Sequence, residues 1–407
     1  MWVVAALTLG MPWVVLRGIE EPFLAPKLFV WMAGCLVLCG VVWFGLRPNG
    51  SIPCRPLQWL SAWVLLSGLC RFYIPYLFRK VGHSVTVSGD AWLSTVYVLL
   101  GLASIASLQA FLAHASSIER ITQWCCWTAA AMAVYQGVQW MGWDVLYAQD
   151  MRRVATETHY AFAPYAGLGN IQYAAMTQAI TAPLWLLFKH RGYLVGLGVV
   201  VAAVLLSHVR LAVVALGVSL GAYGVARAWA LWPKGRQWLA GAVLVSLLGG
   251  VVVGGPLLRR DERWIVWGET LYQWQRQDAA GRSHALLGWG LQSFPAMFWS
   301  STRVLRPETV RTLGMERTRW DSVHNDVLQA VLEWGAVGAL LLLWAVGSLL
   351  WQGWRRATQP VPAGWWASGV SLLWCSVVSH PWHIAWMVWL GSLIVAMNLR
   401  QPERVMG

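Results

Sequence analysis

Long apolar runs without a charge recur along the whole length of the chain. That pattern limits the fold more than any single motif. A helix needs about 20 apolar residues to cross the hydrocarbon core of a bilayer. On this rule the sequence predicts about twelve spans, at roughly 2–17, 27–46, 57–78, 91–113, 120–141, 171–188, 192–208, 211–230, 237–254, 325–352, 363–380 and 383–400. Residues 192–230 are too long for one helix, and Ser207-His208-Val209-Arg210 is where they divide. An open sheet in lipid would leave backbone groups unpaired, so every span should be α-helical. Composition agrees. Of 407 residues, 58% are hydrophobic and 12% are charged, against about 25% charged in a soluble domain. The expected class is an all-α polytopic membrane protein.

The net charge is +13. In a soluble protein that would raise nucleic acid as a partner. Here the basic residues sit mostly in short loops and in one long loop, so the sequence points to the bilayer and an anionic ligand, not to nucleic acid. With a cytoplasmic N-terminus, the inner loops hold Arg47, Arg55, Arg120, Lys189, Arg191, Arg227, Lys234, Arg236, Arg355 and Arg356. The outer loops hold Glu20, Glu21, Asp144, Asp150 and Glu157, with Arg79 and Lys80 as exceptions. The positive-inside rule then favours both termini in the cytoplasm. The opening MWVVAALTLGMPWVVLRG lacks a basic leader region and an obvious cleavage site, and reads as the first span. Seven cysteines lie almost all in or beside apolar runs, without metal-ligand spacing. They read as buried thiols, and neither a metal nor a cofactor is expected.

The chain divides into residues 1–254 with spans one to nine, a polar loop at 255–323, and residues 324–407 with the last three spans and a tail. The loop carries ten arginines (259, 260, 263, 276, 282, 303, 306, 311, 317 and 319) and no lysine. Arginine suits forked contacts to phosphate or carboxylate. The plainer alternative is a solvated loop that pairs with its own acids. A second outer loop, 142–170, is also too long for a simple connector.

The most telling stretch is DSVHNDVLQ at 321–329, continuing as AVLEWGAVGALLLLWAVG. With a helix starting near Asn325, Asp326, Gln329 and Glu333 fall at spacings of three and four, on one face. Glu333 then lies about 10 Å deeper than Asp326. Polar groups in a span are costly and usually line a bundle interior or a wet cavity. Capping of the helix by Ser322, Asn325 or Asp326 is the bland reading for the first residues, but it does not reach Gln329 and Glu333. His324 sits at the mouth of the stripe. An imidazole has an ordinary pKa near 6.5 and can accept a proton at neutral pH, although a lone interfacial histidine is more often structural. His324 and Asp326 are two apart and do not make a metal pair. Arg210 and Arg263 stand at outer ends of apolar segments, as anion ligands or as interface anchors. Gly288 and Gly290 in LLGWGLQSFP suggest a flexible outer turn.

Taken in order, these segments resemble the O-antigen ligase and polymerase superfamily. LGNIQYAA, with Asn170, resembles a glycine-asparagine motif that opens a middle span, and departs from it at Ile171 and Gln172. SHVRLAVVA matches through Arg210, RWIVWGETL through Arg263 and Trp267, and LLGWGLQSF through Gly288, Gly290 and Phe294. HNDVLQAVLEWGAVG matches best, through His324, Asn325, Asp326, Leu328, Gln329, Glu333, Gly335 and Gly338. The motifs cover about 168–340. The resemblance implies a GT-C-like helical bundle in the bacterial inner membrane, with the 255–323 loop and the active site in the periplasm. It implies an inverting, metal-independent glycosyltransferase that passes a glycan from undecaprenyl pyrophosphate to a hydroxyl. His324 falls on the family's essential histidine, and Arg210 and Arg263 on its pyrophosphate-associated arginines. Asn325, Asp326, Gln329, Glu333, Asn170, Gly288 and Gly290 would support them. The acceptor could be lipid A–core oligosaccharide (a ligase), a second lipid-linked repeat unit (a polymerase), or a protein hydroxyl (an O-oligosaccharyltransferase). The absence of an appended soluble domain weighs mildly against the last. From a different class, a transporter would place charges or broken helices mid-span in both halves.

Overall fold

A computed structural model describes residues 1–14, 24–42, 55–70, 88–114, 118–144, 166, 168, 170–188, 190–235, 237, 263–277, 281, 283–290, 293–294 and 323–400. The expected span at 237–254 lies outside these residues, apart from Gln237. So do most of the 142–170 and 255–323 loops, with Arg259, Arg260, Arg282, Arg303, Arg306, Arg311, Arg317 and Arg319.

The described residues form α1 (Trp2–Ala5), α2 (Leu24–Gly40), α3 (Arg55–Cys70), α4 (Ser88–His114), α5 (Ile118–Trp140), α6 (Ile171–Trp185), α7 (Arg191–Leu206), α8 (Arg210–Leu231), α9 (Arg263–Gln275), α10 (Asp326–Arg356), α11 (Pro360–Val378) and α12 (Ala385–Leu399). Three of them, α8, α10 and α11, are long and apolar enough to cross a membrane by length and composition. Shorter apolar helices include Pro26–Gly40, Val96–Leu112, Arg191–Leu206 and Ala385–Leu399. Among the described residues the one β feature is an isolated bridge between Gln277 and Ser283.

The centre of the bundle is α6 and α12. Every residue of α6 from Tyr173 to Trp185 is buried, and α12 is buried on nearly all sides. Helices apolar all round belong in such a position. Several of their polar groups are paired within the core, while Gln178 Oε1 and the indole N–H groups of Trp185 and Trp386 are buried without a hydrogen-bond partner among the described residues. Ser104 bonds Ser392 at 3.1 Å, Trp389 donates to Thr8 at 3.1 Å, and Gln178 donates to Gln136.

Chain direction fixes which helix ends meet. Arg227, near the end of α8, donates to Thr358 O just before α11 at 2.8 Å. Ser371 of α11 donates to Ala215 O of α8 at 3.1 Å. The two helices are therefore antiparallel, and Arg210 lies towards the same end of the bundle as Val378. Gln172, in the first turn of α6, bonds Ser379 at 2.7 Å. The N-termini of α6, α8, α10 and α12 thus gather at one end, around the turn 379–384 between α11 and α12.

The single span expected at 325–352 is instead two helices joined at Gly335, which has φ 70° and ψ −175°. A helix broken in a membrane must pair the backbone groups it frees. Here the segment Ala285–Gly290 pairs them. Trp289 N donates to Leu332 O at 2.9 Å and Gly290 N to Glu333 O at 2.9 Å. In return, Ala336 N donates to Ala285 O at 2.8 Å and Val337 N to Leu286 O at 3.2 Å. Trp63 of α3 caps the third freed carbonyl, Trp334 O, at 3.1 Å. The joint is so close that a Cβ on Gly288 would stand 2.3 Å from Glu333 O. Gly288 and Gly290 have φ of 78° and 89°, so the turn expected to be flexible is a backbone lock. Beyond Gly335, α10 still runs about 30 Å to Arg356, enough by itself to cross the hydrocarbon core. The polar stripe belongs to the shorter half that precedes the break.

Candidate active site

His324 stands just before α10, half-buried and with φ 53°. A left-handed backbone is uncommon for a residue with a side chain and costs energy unless its surroundings enforce it. They do. Asn325 caps α10, its Oδ1 accepting from Leu328 N at 3.0 Å. Val323 is fixed from both sides: its carbonyl accepts from Trp267 Nε1 at 3.0 Å, and its N–H donates to Gln329 Oε1 at 3.4 Å. Gln329 in turn donates to Glu333 at 3.2 Å. Asn325, Gln329 and Glu333 are all buried. Of the stripe expected from the sequence, Gln329 and Glu333 form a hydrogen-bonded pair behind Val323, Asp326 turns instead towards His383, and Asn325 is the capping residue.

Around His324 lie groups that the sequence did not single out. The His380 ring meets it edge to face, with centroids 4.2 Å apart and planes at 90°. His380 Nε2 is 2.6 Å from the hydroxyl of Tyr173. His383 packs near His380 at 5.5 Å, and its Nε2 is 3.7 Å from Asp326 Oδ1. Burial, and then His324, His383 and Arg263 alongside, hold the His380 imidazole well below its ordinary pKa. It is therefore neutral at physiological pH.

Arg263 joins the same group. It begins α9, and its guanidinium donates to Val378 O at 3.2 Å and to Gln172 Oε1 at 3.4 Å. Gln172 also donates to Ser379, so one turn, Val378 to His383, touches the arginine, the histidine and Asp326. The α9 helix is anchored by its buried face, Val266, Glu269, Thr270 and Gln273. Glu269 accepts from Gln273 at 2.7 Å, and Trp289 ties Gln273 O to the backbone lock at 3.0 Å. Asn170 caps α6 through Gln172 N at 2.7 Å, beside Arg263's partner. Arg210 opens α8 with its side chain exposed. Among the described residues no hydrogen bond or ion pair ties it to His324, although it shares that end of the bundle.

The arrangement combines a fixed imidazole, a fixed guanidinium and four helix N-termini. Each N-terminus carries roughly half a positive charge, and in α6 and α10 one N–H donor is taken by the capping Asn170 and Asn325. Such ends bind phosphate groups. Among the described residues no cluster of three or more His, Cys, Asp or Glu is set out to hold a metal ion.

Tyr173, Gln172, His380 and His383 were the residues that sequence reasoning missed. The only signal was SHPWH at 379–383, two histidines between two apolar runs.

The described residues form a helical bundle consistent with a membrane protein, with helix N-termini and Arg263 gathered at one end beside a histidine. Residues 195–343 match the family model for O-antigen ligase, a likeness that supports the O-antigen ligase and polymerase superfamily. The match supports a ligase or polymerase type of function: a glycosyltransferase-like membrane enzyme whose partners are a lipid-linked glycan and an acceptor. It takes in Arg210, Arg263, Gly288, His324 and Gly335, and stops short of Tyr173 on one side and His380 on the other. No curated protein matches the chain.

Proposed function

We propose that the protein is an O-antigen ligase of the bacterial inner membrane, with its site on the periplasmic face. It moves a glycan from undecaprenyl pyrophosphate to a hydroxyl of lipid A–core oligosaccharide. One observation carries this reading: His324 by ring packing and Arg263 by hydrogen bonding meet the same turn, Val378 to His383, at the end of the bundle where four helix N-termini gather. Pyrophosphate is already a good leaving group and needs its developing charge neutralised, which guanidinium groups and helix ends supply. Arg263 does this from the centre of the site, and Arg210 from the exposed start of α8. The acceptor oxygen attacks the anomeric carbon as the carbon–oxygen bond to pyrophosphate breaks. His324 takes the hydroxyl proton, and the bonding pair leaves with the lipid carrier. Direct displacement inverts the anomeric centre.

Deletion followed by glycolipid gels tests the acceptor. Loss of long glycan from lipid A–core, with lipid-linked polymer accumulating, is the expected result. A single capped repeat unit would instead make the protein a polymerase. Unchanged lipopolysaccharide with unglycosylated pilin would make it a protein transferase.

A further inference from the structure

The turn after α11 belongs to no motif that the sequence suggested, yet it bonds or packs against Arg263, Gln172, Asp326, His324 and Tyr173. Val378 O and, through Gln172, Ser379 hold Arg263. His383 faces Asp326. Most directly, His380 stands edge to face against His324 while its Nε2 is bonded to Tyr173 at 2.6 Å. Tyr173 is itself fixed as a buried residue in the first turns of α6, and its ring meets that of His380 at 89° with centroids 5.6 Å apart. A ring at the end of a flexible Cα–Cβ–Cγ linkage has two torsions to settle. One rigid ring packed at right angles removes most of that freedom.

We propose that His380, locked by the Tyr173 hydroxyl, is the positioning residue that sets the orientation of the His324 imidazole. This rests on the reading of His324 as the base. His380 and Tyr173 do not touch substrate on this view; they act through His324. The base must present one nitrogen to an acceptor hydroxyl within hydrogen-bond reach, and misplacement by about 1 Å can cost on the order of 100-fold in rate. A neutral neighbour also suits the step. When His324 gains its proton, a neutral ring beside the new cation does not repel it, whereas a second imidazolium would.

The test uses the full-length enzyme in proteoliposomes with lipid-linked glycan donor, comparing Tyr173→Phe, His380→Phe and the double variant. Tyr173→Phe keeps the ring and removes one oxygen, so it tests the lock even if His380→Phe folds poorly. Each single variant is expected to lower kcat by about 10-fold or more, with donor KM within about threefold of wild type. The double variant is expected to be no worse than the weaker single, because the two residues act as one unit. Normal kcat in Tyr173→Phe, a loss carried by KM, or fully additive losses would overturn the proposal. His324→Ala run alongside separates the two claims. If it retains wild-type kcat, the base assignment itself fails. If it is inactive while Tyr173→Phe is normal, only the positioning role fails.

Discussion

Replacing Gly335 with alanine strikes the joint on which the site rests. A Cβ at that position would stand 2.2 Å from Leu286 O and 2.4 Å from Gly288 N. Neither neighbour is a flexible side-chain tip; both are backbone. The conformation adds its own cost, because φ 70° with ψ −175° is essentially open to glycine alone, at about 1–3 kcal/mol for other residues. To relieve the clash the 285–290 segment must move away. That breaks four backbone hydrogen bonds, Trp289 to Leu332, Gly290 to Glu333, Ala336 to Ala285 and Val337 to Leu286, at about 1 kcal/mol net each. If α10 closes into a straight helix it recovers part of this, but leaves the loop's own N–H and C=O groups unpaired. A loss of roughly 3–6 kcal/mol follows, or on the order of 10 °C in melting temperature. The assay is thermal unfolding in detergent micelles, with transfer measured on the same preparation. Gly347→Ala is the control. It lies in the same helix with open space at its Cβ, and should be neutral or up to about 1 kcal/mol stabilising. Gly335→Ala melting within about 2 °C of wild type, with full transfer activity, would refute the reasoning.

Smaller perturbations probe other joints. Asn325→Ala removes the side-chain cap of α10 and should cost about 1 kcal/mol by the same unfolding assay, whereas Asn325→Asp should cost little. Arg263→Lys keeps the charge but loses the fork that spans Val378 O and Gln172. It should weaken donor binding, read as a raised donor KM, and should not behave as a conservative change. His380 is held neutral in the folded protein, its pKa lowered by burial and then by His324, His383 and Arg263. The sign follows from linkage: a depressed histidine contributes stability above the unfolded pKa near 6.5, which is lost as pH falls below it. Melting temperature should therefore drop more steeply between about pH 6.5 and pH 4.5 in wild type than in His380→Phe. Parallel curves would contradict this.

Particular residues show what the sequence could and could not tell. The helical class followed from charge-free runs, since lipid leaves few other ways to pair a backbone. Local spacing placed Gln329 and Glu333 on one face and offered Ser322, Asn325 and Asp326 as caps, of which the fold uses Asn325. The break at Gly335 did not, because a lone glycine in an apolar run also suits close helix packing. What decides its role is a partner some fifty residues earlier, Ala285–Gly290, meeting it backbone to backbone. Tyr173 read as one more apolar residue of a span. His380 and His383 read as the facing ends of the spans expected at 363–380 and 383–400, because only the antiparallel course of α11 and the start of α6 brings that turn against His324. Arg210 and Arg263 looked equivalent in sequence. The fold ties Arg263 into the bonded group and leaves Arg210 exposed at the same end.

The central claim is that His324 removes the acceptor proton at a site that binds a lipid-linked pyrophosphate. The most direct measurement is single-turnover transfer from undecaprenyl-pyrophosphate glycan to lipid A–core in proteoliposomes, comparing wild type with His324→Ala at matched protein levels. The expected result is a loss of at least about 100-fold in the transfer rate, with donor binding retained. Transfer by His324→Ala at a rate near wild type would contradict it.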